Sequence, residues 1–194
     1  GTGDAFSAGG DVKDMAAKND NSPLNEKTNS LRRIMEITKL LYDLPIPTVA
    51  IVKGPAAGAA FALALACDMR IATKEAVFTT AFSKIGFSGD FGGSYFLTKL
   101  VGTAKAKELY YFSEKIDAEK ANNLGIINEI HEAADIDEVV KKLKNKFKEL
   151  PPIAIKYMKK NLNLAVSGDL DLLLDQEALH MMICSETEDH KNAA

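Results

Sequence analysis

The sequence contains very little cysteine. Cys67 and Cys184 are its only two cysteines in 194 residues, and apolar or small side chains flank both of them. Two isolated thiols favour reduced core cysteines over a disulfide framework or a metal site. They also favour a cytoplasmic location, because disulfides persist mainly in oxidising compartments. We therefore predict neither disulfides nor a bound metal.

Long apolar runs and an excess of one charge are also lacking. No apolar run reaches about 18 residues, which argues against a membrane span, and the start of the sequence shows no secretion signal. The formal net charge is -3 and the isoelectric point is about 5.7. Such a chain has no electrostatic reason to bind nucleic acid or an anionic membrane. We expect neither as a partner, so any anionic ligand must be held by local groups.

The periodicity that is present predicts a layered α/β fold followed by helices. With 46% hydrophobic and 26% charged residues, the chain can bury one substantial core. A β-branched run at 48–52, a helix of small residues at 59–67 and strands at 69–72 and 76–79 predict a βαβ unit. Further helices are predicted at 94–101, 104–112, 118–123, 137–150, 153–166 and 170–185, with a strand at 126–130.

The first 45 residues are less regular. A short helix is predicted from 11 to 18 and an exposed polar loop from 19 to 28, followed by one amphipathic helix from Asn29 or Ser30 to Leu44. Residue 1 is Gly rather than Met, and residues 1–8 have the composition of a tight loop with no element before it. We therefore expect that the chain is truncated.

Two glycine-containing loops, at residues 6–11 and 53–60, predict chemistry carried by the backbone. Small residues let main-chain amides approach a ligand closely, and the second loop leads from a buried strand into a buried helix. The start of that helix presents unpaired amides and a positive dipole end. Amides held in this way stabilise an oxyanion that develops on a carbonyl oxygen. The alternative is that Gly54 and Gly58 only permit a tight turn and close packing.

The order of several motifs resembles a known family. The sequence reads FSAGGDVK at 6–13, VKGPAAG at 52–58, Cys-Asp at 67–68 and FSGDFGGS at 87–94. Val101-Gly102, the helix at 104–109 and the segment 118–127 continue the pattern. Together they resemble the crotonase superfamily, which includes the enoyl-CoA hydratase/isomerase family, over nearly the whole chain.

This resemblance implies a fold and a substrate class. It implies a crotonase-like spiral of ββα units at 1–130, with its first strands missing, and a helical trimerisation region at 131–194 that also lacks its end. Truncation at both ends is thus expected. The implied substrate is an acyl-CoA thioester, with coenzyme A as part of the substrate and no separate cofactor. A homotrimer or a hexamer of two trimers and a role in fatty acid metabolism are also implied.

The same resemblance assigns site residues. The oxyanion amides are expected from Ala8 and Gly58. The backbone around Ser7, Ala8 and Gly9, together with Lys13, is expected to contact coenzyme A.

The carboxylates indicate which reaction to expect. Hydratases of the family use two glutamates to activate one water. The matching positions here are Ala62 and Phe82, whose side chains cannot transfer a proton. Asp90 lies at a position where the family resemblance implies an acid/base aspartate, similar to that of dienoyl-CoA isomerases and ring-opening isomerases. Apolar neighbours at 82, 87 and 91 are expected to raise its pKa. The alternative is that Asp90 only caps the helix that begins near Gly92.

Other polar side chains are weaker candidates. Histidines are predicted to have surface or interface roles, lysines to form a solvated helix face, and tyrosines to serve as packing aromatics with a wet hydroxyl. These residues are His131, His180 and His190; Lys99, Lys105 and Lys107; and Tyr95, Tyr110 and Tyr111.

Three other functions compete with an isomerase or lyase. A serine peptidase of the related Clp-type fold needs a Gly-x-Ser-x-Gly elbow, but the segment around Ser88 ends in Asp90 instead of the last glycine. A non-catalytic acyl-CoA-binding member fits the loss of both glutamates, although Asp90 argues against it. An enoyl-CoA hydratase with an atypical site is the third. We predict an enzyme in which Ala8 and Gly58 stabilise a thioester enolate and Asp90 transfers a proton.

Overall fold

The computed structural model describes residues 3–11, 21–166 and 168–193. The chain divides into two compact units, one of Gly1–Tyr42 with Thr48–Ile136 and one of Asp43–Pro47 with Asp137–Ala194. The predicted division into 1–130 and 131–194 stays a prediction. The helix predicted at 11–18 lies almost wholly outside the described residues.

The first unit contains two small sheets whose strands come from distant parts of the chain. Strand β1 (Val49–Val52) pairs in parallel with β3 (Met69–Thr73), and β3 pairs in parallel with β6 (Glu129–His131). In the second sheet, β2 (Pro55–Ala57) pairs in parallel with β4 (Val77–Thr79), which pairs antiparallel with β5 (Ile116–Asp117). A helix that directly follows one of these strands can therefore begin at the edge of the sheet, with its N-terminal amides at that edge.

Several helices complete this unit. Helices α1 (Leu24–Ile34) and α2 (Glu36–Asp43, whose last residue belongs to the other unit) precede the sheets, α3 (Ala59–Ala66) follows β2, and α4 (Gly93–Phe112) and α5 (Ala118–Asn123) flank β5. Helix α3 consists of small and apolar residues, and six of its eight side chains are buried. A helix that is apolar all round lies inside a core. The predicted break between 101 and 104 is confirmed, because Gly102 has a non-helical backbone within α4.

The N-terminal helices differ from the prediction. Residues 24–28 are helical rather than a polar loop, and α1 ends at Ile34, so the predicted single helix is two. No side chain of α1 is buried. The first turn of this helix therefore carries no apolar periodicity from which a helix could be predicted. The strand predicted at 126–130 forms only at Glu129–His131.

The second unit is helical. It contains α6 (Ile136–Lys148, whose first residue belongs to the other unit), α7 (Pro152–Ala165), α8 (Leu170–Ser185) and α9 (Glu188–Ala193). His180 is buried rather than at the surface: it is 3% exposed, stacks on Tyr157 with ring centroids 4.3 Å apart, and contacts Asn161 Oδ1 at 2.5 Å. Across the described stretches 3–11, 21–166 and 168–193, no helix has the length and apolar content needed to cross a membrane.

A buried arginine donates hydrogen bonds to the carbonyl oxygens at the C-terminal end of α3. Arg70 is 4% exposed, and its guanidinium donates to the carbonyl oxygens of Cys67 at 2.6 Å and Leu65 at 3.3 Å, and through Nε to that of Ile126. The last carbonyls of a helix have no intrahelical partner, and a cation there also favours the helix dipole. Burial lowers the pKa of Arg70.

We predict that Arg70→Met destabilises the protein strongly. The substitution keeps an apolar stem but leaves several buried carbonyls without a donor, at a cost of about 2 to 5 kcal/mol in the free energy of unfolding. Urea unfolding followed by circular dichroism measures this loss. Arg70→Lys retains the charge but not the forked geometry of the guanidinium. Its free energy of unfolding should therefore lie between those of the wild type and Arg70→Met. An unchanged midpoint for Arg70→Met would show that water replaces the guanidinium without loss.

Candidate functional site

The two glycine loops lie side by side at the edge of the β2–β4 sheet. Ser7 forms a parallel bridge with Ala56. The amides of Phe6 and Ser7 both donate to the Pro55 carbonyl at 3.1 Å, and the Ala57 amide donates to the Ser7 carbonyl at 3.1 Å. The first loop is therefore held against β2, directly before α3 begins.

Gly9 shows how closely the loops approach. Its φ is +86°, and a Cβ at this position would lie 2.6 Å from the Ala57 carbonyl oxygen and 3.6 Å from the Ala59 nitrogen. Only glycine tolerates both the backbone conformation and the contact. The first loop thus passes next to the first amide of α3.

Gly58 does not offer an open amide. Its N–H donates to the Thr79 carbonyl at 3.0 Å, which continues the pairing of β2 with β4. The expected donor is therefore already used in the sheet. The adjacent Ala59 is the first residue of α3, and its N–H has no acceptor among the residues that the structure describes. Ala59 replaces Gly58 as the candidate donor on this loop.

The first loop also has open amides. Within the described residues, neither the Ala8 nor the Gly10 amide has an acceptor, while the Gly9 amide donates to Ser7 Oγ at 3.2 Å. Both backbone groups of Ser7 face β2, so in an extended chain those of Ala8 face the other way. The roles of Ser7, Ala8 and Gly9 stay predictions. Lys13 lies outside the described residues.

Asp90 sits in a turn built from unusual backbone conformations. Its neighbours Gly89, Phe91 and Gly92 have φ values of +107°, +48° and +71°. Positive φ is costly at a non-glycine residue and is held at Phe91 by a hydrogen bond, because Thr38 Oγ1 donates to the Phe91 carbonyl at 3.1 Å. Such over-determined turns are frequent at functional sites.

The Asp90 carboxyl has an unused acceptor. Within the described part of the chain, its Oδ1 is buried and has no hydrogen-bond partner. Burial raises the pKa of Asp90, which confirms the predicted direction. The capping alternative is wrong: Gly92 is the N-cap of α4, and no side chain of the described residues caps that helix start. Asp90 contributes only its backbone carbonyl, which accepts from the Gly93 amide at 3.1 Å.

The aromatic ring of Phe82 lies close to both the second glycine loop and the turn that contains Asp90. Phe82, 7% exposed, lies 3.8 Å from the position of a Cβ on Gly58 and 3.6 Å from that of a Cβ on Gly89. Phe82 also stacks on Tyr110, with ring centroids 6.2 Å apart. Ala62 is 2% exposed, and its Cβ lies 3.0 Å from the position of a Cβ on Gly93. The walls at positions 62 and 82 are therefore apolar, as the sequence predicts.

Tyr110 is closer to this turn than its sequence position suggested. A Cβ on Gly93 would lie 2.5 Å from the Tyr110 hydroxyl oxygen, and one on Gly89 would lie 2.9 Å from its ring. Burial, followed by the charge of Asp90, raises the pKa of Tyr110 to about 12. The predicted role as a simple packing aromatic omits this placement, which no local pattern around position 110 reveals.

Comparison with known proteins agrees with this arrangement. Residues 1–193 match the family described as enoyl-CoA hydratase/isomerase. The short-chain-enoyl-CoA hydratase of Clostridium acetobutylicum is 32% identical over 189 residues, which cover 97% of this chain and 71% of that protein. The 1,2-epoxyphenylacetyl-CoA isomerase of Escherichia coli K12 is 30% identical over 192 residues, which cover 98% of this chain and 73% of that protein.

Solved structures give the same result. A Thermobifida fusca YX protein in complex with CoA matches with a TM-score of 0.86 and 29% identity, over 93% of this chain and 72% of that one. The chain therefore belongs to the enoyl-CoA hydratase/isomerase family, within the crotonase superfamily. The predicted crotonase-like α/β fold is confirmed.

Proposed function

We propose that this family member isomerises an acyl-CoA thioester, moving a double bond or opening a ring rather than adding water. The observation that carries the proposal is Asp90 Oδ1, a buried acceptor that has no hydrogen-bond partner in residues 3–11, 21–166 and 168–193. One carboxylate suffices for a proton shift, whereas hydration by the family's mechanism uses two. A lyase-type reaction through the same enolate needs the same groups.

The proposed mechanism divides the work between backbone and carboxylate. Amides of the first loop and of Ala59 polarise the thioester carbonyl, and negative charge develops on its oxygen as Asp90 removes a proton from the acyl chain. Asp90 then returns the proton at another carbon. Ala62 and Phe82 exclude water from this step, because neither side chain can hydrogen-bond it.

The substrate and assembly are part of the proposal. The Thermobifida fusca relative was solved with CoA, which supports an acyl-CoA substrate here, and we propose that coenzyme A enters as part of it, without another cofactor. Helix α8 exposes Leu174, Leu179, Met181 and Met182, which supports the predicted homotrimer or hexamer. Light scattering of the purified protein tests the assembly.

An enoyl-CoA hydratase with an atypical site is the second candidate. It is favoured by the name of the Clostridium acetobutylicum relative. A non-catalytic acyl-CoA-binding protein would leave Asp90 without a purpose, and the unpartnered oxygen argues against it.

We predict that crotonyl-CoA is a poor substrate for hydration. Because positions 62 and 82 carry no acid or base, turnover should fall at least about 100-fold below that of a hydratase with both glutamates. Loss of the enoyl-thioester absorbance measures the rate. In parallel, unsaturated, dienoyl and aromatic acyl-CoAs are incubated in deuterated water and followed by mass spectrometry.

The two readouts separate the candidates. An isomerase incorporates deuterium or shifts the position of the double bond without a gain of one water in mass. A crotonyl-CoA turnover equal to that of good hydratases would favour the second candidate. Thioester binding without exchange or turnover of any acyl-CoA would favour the non-catalytic one.

A further inference from the structure

The Tyr110 hydroxyl occupies a notch made by two glycines beside the Asp90 turn. Its oxygen lies 2.5 Å from where a Cβ on Gly93 would stand and 3.6 Å from where one on Gly89 would stand. That Gly93 position is also 3.0 Å from the Ala62 Cβ. The hydroxyl is therefore placed next to Ala62, the position at which the resemblance expects a hydratase carboxylate.

This hydroxyl has an unused hydrogen. Tyr110 is half-buried, and in the described part of the chain no hydrogen bond joins its hydroxyl to another protein group. Its raised pKa, about 12, keeps it protonated at physiological pH. Tyr110 is thus a donor at this site and not a base.

Asp90 offers the complementary group. Its Oδ1 is a buried acceptor without a partner among the described residues, and its charge is one cause of the raised pKa of Tyr110. Among the described residues, a donor and an acceptor that are both unbonded therefore lie at the same turn, and the neighbouring Ala62 and Phe82 side chains are apolar. A ligand oxygen placed there can accept from Tyr110, and a hydroxyl can also donate to Asp90.

We propose that Tyr110 is a substrate-binding residue that selects acyl-CoA thioesters carrying an oxygen atom on the acyl chain. This inference rests on the proposed function, because it requires an acyl chain that lies next to Asp90. The Tyr110 hydroxyl donates to the oxygen of a hydroxyl group on the chain, and Asp90 accepts its hydrogen. An acyl chain without such an oxygen leaves both protein groups unpaired, which costs affinity.

The test compares thioesters that differ by one oxygen. Butyryl-CoA and butyryl-CoA thioesters hydroxylated at each chain carbon in turn are titrated calorimetrically into the wild type and Tyr110→Phe. We expect at least one hydroxylated thioester to bind about 3- to 10-fold more tightly than butyryl-CoA to the wild type. Tyr110→Phe should abolish that preference and change the affinity for butyryl-CoA less than about twofold.

Two further variants sharpen the test. Tyr111→Phe makes the same chemical change at a neighbouring side chain that is 67% exposed, and it should behave like the wild type. Gly93→Ala would place a Cβ 2.5 Å from the Tyr110 oxygen, so it should displace the hydroxyl and remove the same preference. This second variant keeps the test informative if Tyr110→Phe folds poorly.

Distinct results overturn the inference and the proposed function. If no hydroxyl position gives a Tyr110-dependent gain, or if Tyr110→Phe weakens butyryl-CoA equally, Tyr110 has only a packing role and the inference fails alone. If the wild type binds none of the thioesters, including butyryl-CoA, the acyl-CoA function itself fails and the inference falls with it.

Discussion

Asp90→Asn should abolish turnover while acyl-CoA still binds. The amide has nearly the shape of the carboxylate but cannot accept a proton from the acyl chain, and positioned acid–base groups contribute about 100- to 10,000-fold to rate. The turnover measured is deuterium exchange or isomerisation of the best substrate from the acyl-CoA panel. Binding is measured by calorimetry with butyryl-CoA, whose affinity should change little.

The pH dependence provides a second readout of the same group. Because burial raises the pKa of Asp90, the ionised base is lost at a higher pH than for an ordinary aspartate. The value of kcat/KM should therefore fall as the pH drops through that raised pKa. Asp135, which is exposed, offers a matched control: Asp135→Asn should leave both the rate and the pH profile unchanged. Full activity of Asp90→Asn would remove Asp90 from the mechanism.

Asp90→Asn should increase the stability of the protein although it lowers the activity. The pKa of Asp90 is higher in the folded than in the unfolded chain, so the folded state binds this proton more tightly. Stability is then lost as the pH rises from the unfolded to the folded pKa. Above that window, Asp90→Asn removes the cost of burying the charge, and we expect Tm to rise. Below the unfolded pKa the difference should vanish.

Much of the fold follows from patterns within short segments. The helices predicted at 118–123 and 170–185 have the same bounds in the structure, and Gly102 divides α4 where the sequence predicts a break. These elements carry apolar periodicity or glycine punctuation that does not depend on distant residues. Their formation is therefore a local property of the sequence.

The Gly58 amide is bonded rather than open because of pairing between distant segments. Strand β2 has three residues, begins with Pro55 and shows no alternation, so the sequence predicts only a turn there. Its pairing with β4 uses the Gly58 amide, and the next amide, that of Ala59, has no acceptor within the part of the chain that the structure describes. A shift of one residue in the predicted donor follows from one unrecognised strand.

The surroundings of Asp90 depend on tertiary packing in the same way. The sequence places phenylalanines near Asp90 and predicts a raised pKa correctly in direction. It does not reveal Thr38, which fixes the turn from α2, or Tyr110, which reaches Gly89 and Gly93 from the far end of α4. Helix packing, and not local sequence, brings these side chains to the turn.

Ala59→Pro should remove one oxyanion donor without breaking the helix. Proline lacks the N–H, and it is well tolerated at the first position of a helix, where that N–H has no intrahelical partner. Loss of one such donor typically lowers kcat about 100- to 1000-fold. The rate of isomerisation or exchange measures the effect, and circular dichroism checks that the fold is kept.

The backbone before this position accommodates the change. Gly58 has φ 56° and ψ -125°, the mirror image of an extended conformation that is favourable before proline and open to glycine. Ala59→Gly keeps the N–H while removing the methyl group, so it should retain most of the activity. Ala8→Pro and Gly10→Pro extend the test to the first loop, where the variant with the larger loss identifies the second donor. A fully active, folded Ala59→Pro variant would show that the enolate is stabilised elsewhere.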